Sequence, residues 1–150
     1  MSRLFFIVAV VLFSGSAHAV NVSVQNTCNE FRWLDADIAL VGEQTVGDLT
    51  ISAFDSNSLP YIGTTAGINS IRATPVGSEA IEVISGTHMR AYGWCYEING
   101  VSPDQMPDQI KVTSNDEQIN WYFGFAEFKD GEWVSYCTPT HTVRPKFICP

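Results

Sequence analysis

Residues able to do chemistry are few and scattered in this 150-residue chain. Beyond residue 19 it has two histidines, His88 and His141, in separate segments, and no G-x-S-x-G stretch lies around either. Catalysis by nucleophile and base needs such groups in register with one another. Asp35 with Asp37, and Asp104 with Asp108, have the look of paired carboxylates, but loop acids of this kind read as solvated charges. A calcium loop would run D-x-D-x-D-G, and Asp35-Ala36-Asp37 does not continue so. No glycine-rich phosphate cradle is present. The expectation is no enzyme, no catalytic residue and no metal ligand.

Binding asks for something else: flat apolar side chains with polar tips beside a turn. The stretch YGWCYEING, Tyr92 to Gly100, has that character. Extended, it puts Trp94, Tyr96 and Ile98 on one face and Cys95, Glu97 and Asn99 on the other. INWYFGF repeats the pattern, with Ile119, Trp121 and Phe123 opposed to Asn120 and Tyr122. The candidates for ligand contact are Tyr92, Tyr96 and Tyr122, Trp94 where it faces outward, and His88 from the segment just before. The competing reading packs these rings into a core, with Trp94, Ile98, Ile119, Trp121 and Phe123 as its members, and leaves His88 on a surface loop.

Cys28, Cys95, Cys137 and Cys149 make an even set with no C-x-x-C spacing. In an exported chain that reads as two disulfides, whose pairing the sequence leaves open among three. Export is itself legible. Arg3, the apolar run Leu4 to Phe13 and Ala17-His18-Ala19 form a cleavable signal over residues 1–19. The run is too short for a bilayer, which takes about 20 apolar residues, and no cysteine follows it to carry lipid. The mature chain, residues 20–150, is expected to be one domain, secreted or periplasmic, with no membrane insertion after cleavage. Losing Arg3 leaves it one charge more negative than the −8 of the whole chain, which argues against nucleic acid.

The elements that must position the aromatics follow from periodicity. NVSVQ (21–25) and ADIALVG (36–42) alternate and can pair as antiparallel strands, with Cys28 and Trp33 between them. Asn21-Val22-Ser23 also matches a glycosylation sequon. Thr45 and Asp48 form a capping box for a helix to about Ser56, its stripe Val46, Leu49 and Ala53, with Leu59-Pro60 to end it. Gly47 and its β-branched neighbours weaken that helix, so packing on a sheet must hold it. A glycine-bearing loop (63–67) leads to the strands SIRAT, AIEVIS, GWCYEI, IKV and INWYFGF. Asp130-Gly131 signals a last hairpin, and the tail from Thr138 reads as irregular, pinned at Cys149.

GWCYEING, the later INWYFG and the helix opening Thr45-Val46 with Leu49 resemble a domain-of-unknown-function family related to the C-terminal domain of transcobalamin and intrinsic factor. The likeness spans residues 20–124. It implies an α+β fold, a β-grasp-like mixed sheet with one packed helix, to which residues 125–150 add a C-terminal hairpin and a disulfide-pinned tail. It also implies an exported, non-enzymatic module holding a small molecule or a cell-envelope or extracellular protein. No cofactor is expected; cobalamin or another corrinoid enters only through the family. The chain departs from that family in lacking the large helical partner domain and in having Asn115-Asp116 where many members have Gly-Asp. The other reading is a structural or interaction domain without a small ligand.

Overall fold

The computed structural model describes residues 19–115 and 117–150. Residues 1–18 of the signal expected over 1–19, and Asp116 of the Asn115-Asp116 pair, lie outside them. Strands β1 (Ala19–Gln25) and β2 (Arg32–Ala39) pair antiparallel, Val22 opposite Ala36. Trp33 therefore belongs to β2 and not to the connection, and the strand expected at 36–42 begins four residues earlier. The earlier start pairs the buried Leu34 with Val24 and extends the ladder to Arg32 opposite Gln25. Asn21 lies within β1, and its Nδ2 donates to Asp35 (2.9 Å) and Asp37 (3.0 Å), so the sequon nitrogen is engaged in the folded protein.

Helix α1 (Val46–Ser56) starts at Thr45 with both halves of the capping box formed. Thr45 Oγ1 accepts from the Asp48 backbone at 3.1 Å, and the Asp48 carboxylate accepts from the Thr45 backbone at 2.9 Å. Those bonds hold the Asp48 carboxyl below its ordinary pKa. The helix ends at Ser56 with Asn57 as cap, before Leu59-Pro60 is reached. The expected loop at 63–67 is instead a hairpin, β3 (Tyr61–Thr64) with β4 (Gly67–Ile71), a small sheet of its own. Strand β4 stops at Ile71 because Arg72 and Ala73 turn to positive φ.

Strands β5 (Ile81–Ser85), β6 (His88–Ile98), β7 (Gln118–Lys129) and β8 (Glu132–Pro139) follow. The main sheet runs β2-β1-β7-β6-β5 with β8 also on β7. Strand β1 is parallel to β7 and every other pairing is antiparallel, so the sheet is mixed. Strand β7 is long enough to serve two neighbours on one edge, β1 along 118–121 and β8 along 124–129. The added hairpin thus closes the edge of β7 that β1 leaves open. Its turn is Asp130-Gly131, both at positive φ, the geometry that a two-residue connection of twisted strands demands. The IKV segment forms only a bridge, Lys111 to Thr45. The tail contains a one-turn helix, α2 (Thr140–Val143), where an irregular path was expected.

The core lies between α1 and one face of the sheet. Leu49, Ala53 and Phe54 are completely buried against Val20, Val22, Val24 and Ile119. Each large side chain sequestered in this way contributes about 1.5–3 kcal/mol. Trp121 is buried with them, its Nε1 donating to Thr50 Oγ1 at 3.0 Å. The sheet is also curled. Trp33 of β2 and Trp94 of β6 have ring centroids 6.0 Å apart, although two strands separate theirs in the sheet. A flat sheet would hold those strands about 14 Å apart.

Candidate functional site

Strands β6 and β7 pair without interruption from His88–Lys129 to Ile98–Ile119. Alternation then decides which aromatics share a face. Tyr92, Trp94 and Tyr96 lie on the concave face with α1, opposite Phe125, Phe123 and Trp121. Tyr122 pairs with Cys95 and points to the other face, where its hydroxyl lies 3.2 Å from Ser102 Oγ. Three of the expected contacts are brought together and Tyr122 is not.

The β3–β4 hairpin faces this aromatic row and leaves a groove with two lobes. One lobe, about 510 Å³, lies over Tyr92 and Trp94 and is walled by Ile62, Ile68 and the Pro75–Gly77 turn. The other, about 420 Å³, lies over Trp94, Tyr96 and Trp121, with Met106 and Pro107 at its lip. Trp94, Ile68 and Asn69 border both, so the lobes adjoin at Trp94. The hairpin is placed by contact with α1. Gly47 lies against the backbone of Thr65 at the hairpin tip so closely that any Cβ would overlap the Thr65 carbonyl.

The polar tips of the aromatics are turned away to internal partners. Trp94 Nε1 donates to Thr74 Oγ1 at 2.9 Å, Tyr96 Oη to the Gln105 carbonyl at 2.6 Å, and Tyr92 Oη to Glu82 at 2.6 Å. Burial, then the Glu82 carboxylate, pushes the Tyr92 phenol far above its usual pKa. Burial also raises that of Tyr96, with the Asp108 charge adding to it. What the groove offers is ring faces, aliphatic walls, the Asn69 amide and the Thr64 hydroxyl. No residue lining either lobe is charged.

Tyr92 is 7 % exposed and also belongs to a second small core with Phe123 and Phe125, closed by Ile148 of the tail. Phe147 stacks on it at 5.5 Å. Trp94 and Tyr96 are half-buried. His88 stands outside the groove in a charged network. Its Nε2 is 2.8 Å from Glu127, which also pairs with Arg90 at 3.1 Å, and the Arg90 guanidinium covers Phe125 at 4.7 Å. Those partners hold the Glu127 carboxyl below its ordinary pKa, the His88 bond foremost.

The four cysteines pair as Cys28–Cys149 and Cys95–Cys137. The first ties the tail to the β1–β2 connection. There the buried Thr140 hydroxyl lies 2.7 Å from the Thr27 carbonyl and 2.8 Å from that of Phe123. The second joins β6 to β8 on the convex face, beside the glycine pair Gly93–Gly124, and so cross-links the face that carries Glu97. Reading the sequence alone missed Ile68, Asn69, Met106 and Pro107 as groove residues. The alternation in Tyr61–Ile71 was the signal for the hairpin, obscured because Thr65-Ala66 is not a turn dipeptide of the usual kind.

Among the described residues no group of three or more His, Cys, Asp or Glu side chains is placed to hold a metal ion. Among them, too, no helix is long and apolar enough to cross a membrane. Fold and groove together define a mixed α+β domain with an aromatic-floored cleft on the concave face of its sheet. Residues 44–124, just over half of the chain, match the family described as Domain of unknown function (DUF4430), and the chain belongs to that family. The match runs from the residue before the α1 cap to Gly124, where β7 passes from β1 to β8. No curated protein and no solved structure matches the chain.

Proposed function

We propose that this chain is a non-enzymatic binding module that holds a small organic ligand in the groove across Tyr92, Trp94 and Tyr96. The observation that carries this reading is the groove itself: two adjoining lobes over aromatic faces whose hydrogen-bonding tips are already satisfied within the protein. Pockets for small molecules are concave and mostly apolar with few polar groups, and Asn69 is the polar group at the junction. His88 and Tyr122 fall outside this role by position. The resemblance to the transcobalamin C-terminal domain makes a corrinoid one occupant to try. Two disulfides and the signal-like first 19 residues support export, to a periplasmic or extracellular site, as a single domain over residues 20–150.

The test is a titration of the disulfide-bonded protein with corrinoids, glycans and cell-envelope extracts, read by tryptophan fluorescence and melting temperature. Binding should perturb Trp94 and Trp121 and raise the melting temperature as ligand is added. A flat response to all three sets removes the small-ligand reading. It would favour the second one, an interaction domain without a small ligand. The exposed side chains Trp133, Val134 and Tyr136 on β8 support that second reading. Cell fractionation with N-terminal sequencing tests export, expected to give a mature chain that starts at Val20.

A further inference from the structure

Resting on the groove as the binding site, we infer that its occupant is a small organic cation, an amine or quaternary ammonium seated over the ring faces of Trp94 and Tyr96. The half-buried rings in that lobe, Trp94 and Tyr96, present apolar faces with no hydrogen-bond donor left to offer an anion, and Trp121 is buried beneath Tyr96. A ring face carries partial negative charge and attracts a cation placed over it. The loop that forms the lip of the lobe carries Asp104 and Asp108, both exposed. Among the described residues neither enters an ion pair.

Basic side chains near the aromatic cluster are otherwise engaged. Arg90 is held by Glu127 and Glu82, at 3.1 and 3.7 Å. Arg72 lies over the ring of Trp33 at 5.4 Å and lines neither lobe. Trp33 is the ring neighbour of Trp94. One cation, then, already sits on this aromatic cluster. The overall charge of −8 adds long-range attraction of the same sign. A neutral ligand would gain only from burial; an anion would find no basic residue in the lining and acidic residues on the loop of the lip.

The experiment compares three probes of nearly one shape: benzyltrimethylammonium, its neutral isostere neopentylbenzene, and the anion 3-phenylpropionate. Each is titrated into the disulfide-bonded protein, with indole N–H shifts in NMR spectra and tryptophan fluorescence as readouts. The cation should bind tightest, ahead of the isostere by roughly 3- to 10-fold, as expected for one cation–π contact at a partly exposed site. That preference should shrink as salt is raised and fall by about half in Asp108→Asn, a surface change that leaves the fold intact. Equal binding of cation and isostere, or an unaltered preference in Asp108→Asn, overturns the cation inference and leaves the groove reading standing. Failure of all three probes to move any indole signal also overturns the cation inference, and the groove reading is then decided by the corrinoid, glycan and envelope titrations.

Discussion

Gly47 in the first turn of α1 rests against the carbonyl of Thr65 at the tip of the β3–β4 hairpin, with no room for a side chain between them. In the sequence this glycine only lowers helix propensity. In the fold it is the point at which helix and hairpin touch, and so it sets one wall of the groove.

Gly47→Ala should therefore destabilise the protein, even though alanine is the better helix former. The obstacle is backbone on both sides, so the hairpin has to move; overpacking of this kind costs about 1–3 kcal/mol. Urea denaturation should show a lower midpoint, and the indole signal of Trp94 should shift because the opposite wall has been displaced. A midpoint raised by the propensity gain would refute the contact.

The buried bond from Trp121 Nε1 to Thr50 Oγ1, at 3.0 Å, joins the sheet to the helix inside the core. Thr50→Val keeps the shape and removes the acceptor, leaving an indole N–H without a partner at a cost of about 1–3 kcal/mol. Thr50→Ser retains the oxygen and should lose less. Equal losses in the two variants would mean that packing, and not the hydrogen bond, is what matters there.

His141 has a buried Nδ1 with no hydrogen-bond partner, and burial lowers its pKa against the opposing pull of Glu30 and Glu97. The folded protein thus favours the neutral ring more than the unfolded chain does. As pH falls through the ordinary histidine value, about 6.5, the unfolded state takes up the proton first and stability declines; the loss levels off below the folded pKa. Urea midpoints from pH 8 to 5 should fall for the native protein, and His141→Gln should flatten that part of the slope attributable to this residue. Identical slopes would show that the ring titrates freely.

Cys28–Cys149 closes a sequence separation of 121, and Cys95–Cys137 one of 42. By loop-closure entropy the longer link should stabilise the fold by about 1 kcal/mol more than the shorter. The double variant Cys28→Ser, Cys149→Ser should melt lower than Cys95→Ser, Cys137→Ser, and should also free the tail that places Phe147 on Tyr92. The reverse order would mean that strain or residual structure outweighs chain entropy.

What could be read from the residues in order was whatever a few neighbours decide between themselves. The Thr45–Asp48 box starts a helix wherever that helix later packs, Asp130-Gly131 makes its turn without help, and alternation in YGWCYEI and INWYFGF sorts side chains to two faces. The even number of cysteines belongs here too, since composition and the expected export signal imply bridges without saying which. Everything that joins distant residues waited for the tertiary structure. The curl that brings Trp33 to Trp94, the hairpin seated on Gly47, the pairing of Cys28 with Cys149 and the side on which Tyr122 finally lies all depend on contacts across many tens of residues. Local periodicity has no knowledge of what will stand opposite a face; packing makes that choice, and the groove exists only once it has been made.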